Sequence, residues 1–123
     1  MFAVSALSVF HESVTACPAT ICFGSAVKNR ICARFAAAVE TGTAIEIDGA
    51  PVHLDLDGAL ARRAVAAGAT LVIDSDCHRA DALDRQMDLG VTTARRGWVE
   101  AKHVLNARPL SDVRTFLARK RGK

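Results

Sequence analysis

The hydrophobic pattern along the 123 residues changes period several times, and those changes predict the elements. From Ser25 to Thr41, Ile31, Phe35 and Val39 recur every four residues, which predicts a helix with one apolar face. Gly42 suits the left-handed position that ends it. Thr43 to Ile47 reads as a strand, with Glu46 near its carboxyl end. Asp48, Gly49, Ala50 and Pro51 turn the chain. A second helix is predicted from about Asp57 to Ala67, with Leu60, Ala64 and Ala67 toward a sheet and Arg62 and Arg63 outward. Gly68 closes it. Thr70 to Ile73 is a short apolar, β-branched run of the kind found in a parallel strand covered on both faces.

Beyond that strand the chain is mainly helical. Ala80 to Leu89 predicts a helix with Leu83 and Met87 on one face and Gly90 at its end. Val91 to Arg96 predicts a short helix or turn stopped by Gly97. Glu100 to Leu105 gives another turn or two, ending at Asn106. Pro109 opens a last helix to about Lys120, with Leu110, Val113 and Leu117 inward. Met1 to Gly24 shows no clear period, and Pro18 breaks any helix there. The order helix, strand, helix, strand implies an α/β fold with parallel strands and right-handed crossovers.

Composition narrows the class. Half the residues are hydrophobic and 24% are charged, as in a globular domain. The length suits one domain or part of one and is too short for a complete eight-unit barrel of about 250 residues. The net charge of +3 is unevenly placed: residues 94–123 carry +7 and residues 1–93 carry −4. A basic end on an acidic body permits a polyanion partner, set against the plainer reading of a solvated terminus. Cys17, Cys22, Cys32 and Cys77 show no Cys-x-x-Cys spacing. No stretch is long and apolar enough to span a membrane, and a cytoplasmic protein with reduced thiols is expected.

The candidate chemistry lies where the second strand ends. Ile73 is followed without a break by Asp74, Ser75, Asp76, Cys77 and His78. Ligands and catalytic groups collect at the carboxyl ends of parallel strands. In an extended segment Asp76 and His78 point the same way, and a carboxylate and an imidazole side by side can share a cation. The plainer alternative makes Asp74 or Asp76 a helix cap and His78 a loop residue.

Several segments resemble one family. Glu46-Ile47-Asp48, Pro51 and Leu54-Asp55-Leu56 resemble the "Glu-Ile-Asn … Pro … Leu-Asp-Leu" segment of PHP (polymerase and histidinol phosphatase) domains. Ile73 to His78 is similar to that family's last metal motif, Ser-Asp-Ala-His or Thr-Asp-Ala-His. Gly90-Val91, Ala94 to Trp98 and Val104-Leu105-Asn106 resemble the stretch closing the PHP domain of bacterial family X DNA polymerases. The resemblance covers about residues 36–120 and leaves residues 1–25 unassigned, with residues 26–123 as the C-terminal half of such a domain.

The resemblance implies a partial (β/α) barrel and metal-dependent phosphoester hydrolysis, on DNA 3′ ends or small phosphate esters. It implies Asp76 and His78 as ligands of a divalent cation, Mn²⁺ or Zn²⁺. Glu46, Asp48 and His53 fall beside them or on the substrate side, and Arg95 and Arg96 are candidates for phosphate or DNA contact. Against that, Arg95 and Arg96 suit ion pairs with Asp81, Asp84 or Asp88, and Trp98 suits a packing anchor. The family's His-x-His motif and mid-domain ligands are absent from this sequence. Cys17-Pro18 stands near the place of a His-Pro motif. The asparagine of Glu-Ile-Asn is Asp48 here. These departures admit an alternative: a non-catalytic remnant that binds a partner or DNA, pairs with a missing half-domain or forms a homo-oligomer. Two strands cannot close a barrel, so open sheet edges are expected.

Overall fold

The computed structural model describes residues 25–121. Expectations for Met1 to Gly24, including Cys17 and Cys22, lie outside the described residues. Helix α1 spans Ser25–Thr41, strand β1 Ile45–Asp48, helix α2 Gly58–Ala66 and strand β2 Leu71–Asp74. A 3₁₀ turn at Ala80–Ala82 leads into helix α3, Leu83–Arg96. Two further 3₁₀ turns, Ala101–His103 and Leu105–Ala107, precede helix α4, Leu110–Arg121.

β1 and β2 pair in parallel, Ile45 opposite Leu71 and Asp48 opposite Asp74. Strand alternation then places Ile45, Ile47, Leu71 and Ile73 on one face. That face meets Phe35 of α1, Ala61 and Ala64 of α2 and Ala94 of α3, which together form the core. The opposite face carries Glu46, Asp48, Val72 and Asp74. Glu46 and Asp74 are exposed, so among the described residues the sheet is covered on one face, not two.

Helix ends follow local chemistry. Asp57 accepts a hydrogen bond from the Leu60 N–H at 2.7 Å and caps α2. At the end of α1, Gly42 takes φ +62° while Gly42 and Thr43 donate to the carbonyls of Val39 and Ala38. Gly68 (φ +85°) repeats this arrangement after α2.

The third helix joins two segments expected to be separate and ends, as expected, before Gly97. It runs unbroken through Gly90, where it crosses the sheet so closely that an added Cβ would stand 2.8 Å from Ile73 Cγ2. Gly90 is a contact glycine, not a helix end. At its actual end the left-handed residue is Trp98 (φ +57°), with Trp98 and Val99 donating to Arg95 and Ala94. Gly97 sits one position earlier, where an added Cβ would stand 2.6 Å from the Gly58 carbonyl oxygen. Trp98 is 76% exposed and anchors no packing. Leu110 and Leu117 are exposed rather than inward, and so is Val39. Ala67 is exposed too, and Ala61 takes its place in the core. In each case the apolar stripe read from sequence is wider than the surface available to cover it.

The outer edge of β2 is not left open. Val104 forms a parallel bridge to Leu71. The Asn106 side chain accepts from the Ile73 N–H at 3.2 Å and donates to the Ile73 carbonyl at 2.8 Å. A primary amide offers one donor and one acceptor at the spacing of a peptide group, so Asn106 substitutes for a neighbouring strand. Asn106→Leu is expected to cost about 1–2 kcal/mol in urea unfolding, because two backbone groups lose their partner at a site water can still reach. A change below about 0.5 kcal/mol would mean that water replaces the amide fully.

Candidate functional site

The carboxyl end of the two strands gathers four carboxylates from different parts of the chain. Asp48 and Asp74 end β1 and β2 side by side. Glu46 lies one pleat back on the open face, and Asp76 follows two residues after the strand. The Glu46 carboxyl hydrogen-bonds Asp74. Partial desolvation first, then the charges of Asp74, Asp48 and Asp76 and this hydrogen bond, raise its pKa above the ordinary 4.5.

A raised carboxyl pKa favours the folded state at low pH. The contribution is whole below 4.5 and is lost as pH rises through the raised value. Glu46→Gln is therefore expected to flatten the fall in stability across that window. Glu46 is exposed, so the difference at pH 8 is roughly 0.5 kcal/mol after screening. Urea melts at several pH values measure it, and parallel curves for the two proteins would refute the carboxyl pairing.

Asp48 and Asp74 also turn toward their own loops. Asp48 Oδ1 accepts from the Ala50 N–H at 2.7 Å, and its backbone N–H donates to the Asp55 carbonyl. Asp74 Oδ1 accepts from the Ser75 N–H at 2.6 Å. Neither Asp74 nor Asp76 caps a helix; Arg79 stands at the start of the following turn without a side-chain cap.

β2 ends at Asp74, and Asp76 takes φ +45°, a left-handed conformation that Asp tolerates better than most residues. The segment is therefore not extended, and strand alternation does not align Asp76 with His78. They meet instead in one cleft of about 240 Å³, lined by His53, Asp76, Cys77, His78, Arg79 and Gln86 among others. His53, expected beside the ligands, reaches this cleft from the loop after β1. His78 Nδ1 lies 3.0 Å from the Asp76 carbonyl oxygen. A carbonyl only accepts, so the hydrogen bond requires the proton on Nδ1. A neutral His78 then carries its lone pair on Nε2, as a metal-binding imidazole does.

Arg95 and Arg96 lie elsewhere. Both are exposed in the last turn of α3. Nine residues of helix separate Arg95 from Gln86, about 14 Å at 1.5 Å per residue. Among the described residues neither forms an ion pair with Asp81, Asp84 or Asp88; Asp81 is held by Arg79. Sequence reasoning missed Asp74 and Arg79 as members of the site. Strand alternation carried a signal for Asp74, which falls in line with Val72 and opposite Asp48. Nothing in the spacing distinguished Arg79.

No protein-family model matches the chain. Over 80 residues, 65% of the chain, it is 49% identical to "DNA polymerase/3'-5' exonuclease PolX" of Bacillus subtilis (strain 168). The chain is similar to PolX. The matched stretch spans 14% of that protein's length. The described part is a mixed helix–strand unit with a two-stranded parallel sheet, and no described helix is long and apolar enough to cross a membrane.

The donor set can be tested against a divalent cation. Asp76 supplies a carboxylate and His78 an imidazole with its other nitrogen already bound. Among the described residues no group of three His, Cys, Asp or Glu side chains stands in metal-binding geometry. Asp76 and His78 are suitable donor types lining one cleft, and the described residues do not complete a site.

Proposed function

We propose that this chain is part of a metal-dependent phosphoesterase of the PHP type, acting on DNA 3′ ends or small phosphate esters. The observation that carries the reading is the meeting of Asp76, His78 and His53 in one cleft beside the Glu46–Asp74 carboxyl pair. The similarity to PolX, whose name includes a 3'-5' exonuclease, supports phosphodiester chemistry. The two parallel strands, with acidic side chains on their open face, suit part of a barrel wall.

Asp76 and His78 would hold a divalent cation, Mn²⁺ or Zn²⁺, with further ligands supplied from outside the described residues. Such a cation polarises phosphoryl oxygens and acidifies bound water. The chain's own residues orient the pair: the Asp76 carbonyl fixes the His78 ring, and Glu46 and Asp74 add negative charge beside it.

Calorimetric titration of the metal-stripped chain with Mn²⁺ and Zn²⁺ tests this beside the Asp76→Ala/His78→Ala double variant. Saturable binding at micromolar affinity or tighter that the double variant loses is the expected result. Absence of binding, or binding the variant retains, would overturn the metal-dependent reading for this chain.

A second reading is a non-catalytic module that associates with DNA. The exposed Arg95 and Arg96, which have no ion-pair partner among the described residues, favour it. DNA affinity that falls steeply with salt in a chain that binds no metal would select it.

A further inference from the structure

Arg79 stands on the rim of the cleft with His53 and His78. One edge of its guanidinium is engaged through two donors by one carboxylate. Nε donates to Asp81 Oδ1 at 3.0 Å and Nη2 donates to Oδ2 at 2.6 Å. This is the fork a guanidinium offers to any oxyanion with two oxygens at carboxylate or phosphate spacing. Both partners are open to solvent, 76% and 67%, so the pair adds little to folding stability. What it does is hold a preformed anion-binding fork at the mouth of the cleft.

The surroundings make that fork significant. Glu46, Asp48, Asp74 and Asp76 give the strand ends a negative field. A phosphate ester entering there needs a cation on the opposite side. Of the described side chains lining the cleft, Arg79 alone carries a positive charge at every ordinary pH. Its backbone is also fixed: the Cys77 thiol donates to the Arg79 carbonyl at 2.6 Å, immediately before the 3₁₀ turn. The backbone is anchored while the guanidinium stays at the surface, which lets it rotate from one oxyanion to another. Arg95 and Arg96 are too far along α3 to do this.

We propose that Arg79 is the phosphate-gripping residue of this cleft, with Asp81 occupying the guanidinium until a phosphate ester displaces it. This rests on reading the cleft as a phosphate-ester site, but not on the metal. The exchange breaks no covalent bond; one pair of charge-assisted hydrogen bonds replaces another.

Thymidine 5′-monophosphate titrated into the ¹⁵N-labelled full chain at low ionic strength tests the proposal. The Nε–Hε resonance of Arg79, assigned by its absence in Arg79→Lys, should shift on binding. Arg79→Ala is expected to weaken binding about tenfold, the scale of a lost charge-assisted fork. Asp81→Asn is expected to tighten it about threefold or more, since the competing charge is gone while the shape is kept. Arg79→Ala/Asp81→Asn should bind as weakly as Arg79→Ala alone. A structural role for the pair would not produce that tightening or its loss in the double variant.

No saturable binding by the wild-type chain, affinity within twofold in Arg79→Ala, or no gain in Asp81→Asn would each overturn the proposal. Mn²⁺ affinity measured on the same samples separates the two readings. Metal binding that survives while nucleotide binding ignores Arg79 sinks this inference alone. Arg79-dependent nucleotide binding without metal binding sinks the metal reading alone.

Discussion

Gly49→Ala should cost the chain about 3 kcal/mol or more, beyond the usual range for overpacking, because the obstruction is backbone. Gly49 is buried directly after β1, and its N–H donates to the Asp74 carbonyl at 2.8 Å, extending the ladder by one residue. An added Cβ would collide with the backbone carbonyl oxygen of Gln86 and stand 3.1 Å from that of Asp74. Neither the backbone of a strand end nor that of a helical turn can rotate away as a side-chain tip does. Relief requires α3 to lift off the sheet at Gln86, which is also a wall of the cleft. Stability and ligand binding should therefore fall together.

Gly68→Ala is the control. Gly68 has φ +85° but nothing within 4 Å of an added Cβ. It should lose roughly 1–2 kcal/mol, from the backbone conformation alone. Urea unfolding of the two variants separates collision from conformation. A Gly49→Ala loss below that of Gly68→Ala would mean that α3 does not press on the strand end as described.

The second large effect is expected at Leu71. Its side chain is 0% exposed and, with Ile47, is one of the two largest fully buried side chains among the described residues. Leu-to-Ala substitutions in cores cost about 2–5 kcal/mol, depending on how far the surroundings collapse into the gap. Here Ala61, Ala64, Ala69 and Ala94 are among the buried members of the same cluster. Alanines have no rotamers with which to fill a void. The loss should lie near the upper end, about 4 kcal/mol, a large part of the stability a small domain has.

Leu71→Ile nearly conserves volume and should cost less than about 1.5 kcal/mol. Val52→Ala, at an 88% exposed position, should cost almost nothing. A Leu71→Ala loss as small as that of Leu71→Ile would show that the core is looser than its burial indicates.

Much of the local structure was legible in the sequence. Ser25 and Thr41 bound α1, Gly42 takes the left-handed position expected of it, and Gly68 ends α2. The two strands were placed within one or two residues, and their parallel pairing followed from the order of elements. These features depend on neighbours in the chain: helical period, capping and the conformational freedom of glycine.

The errors arose where the deciding contact is distant in sequence. Gly90 read as a helix stop, yet the helix runs through it and it is small because the sheet passes within contact distance. Trp98, Leu110 and Leu117 read as inward because period alone cannot report how much surface exists to cover them. The strand edge expected to be open is occupied by Asn106, 33 residues from Ile73.

The candidate site divides in the same way. The sequence by itself determined which residue types stand at the strand ends: Glu46 and Asp48 after one apolar run, and Asp74, Asp76 and His78 after the next. Only the tertiary structure decided how they are used. Parallel register set Asp48 beside Asp74, and the pleat brought Glu46 close enough to Asp74 for their charges to raise the Glu46 pKa. The left-handed turn at Asp76 ended strand alternation and sent Asp76, His78 and Arg79 into the cleft. The physical reason is one of range. Propensity and capping act within a few residues, whereas charge, desolvation and close packing depend on which segments the folded chain brings together.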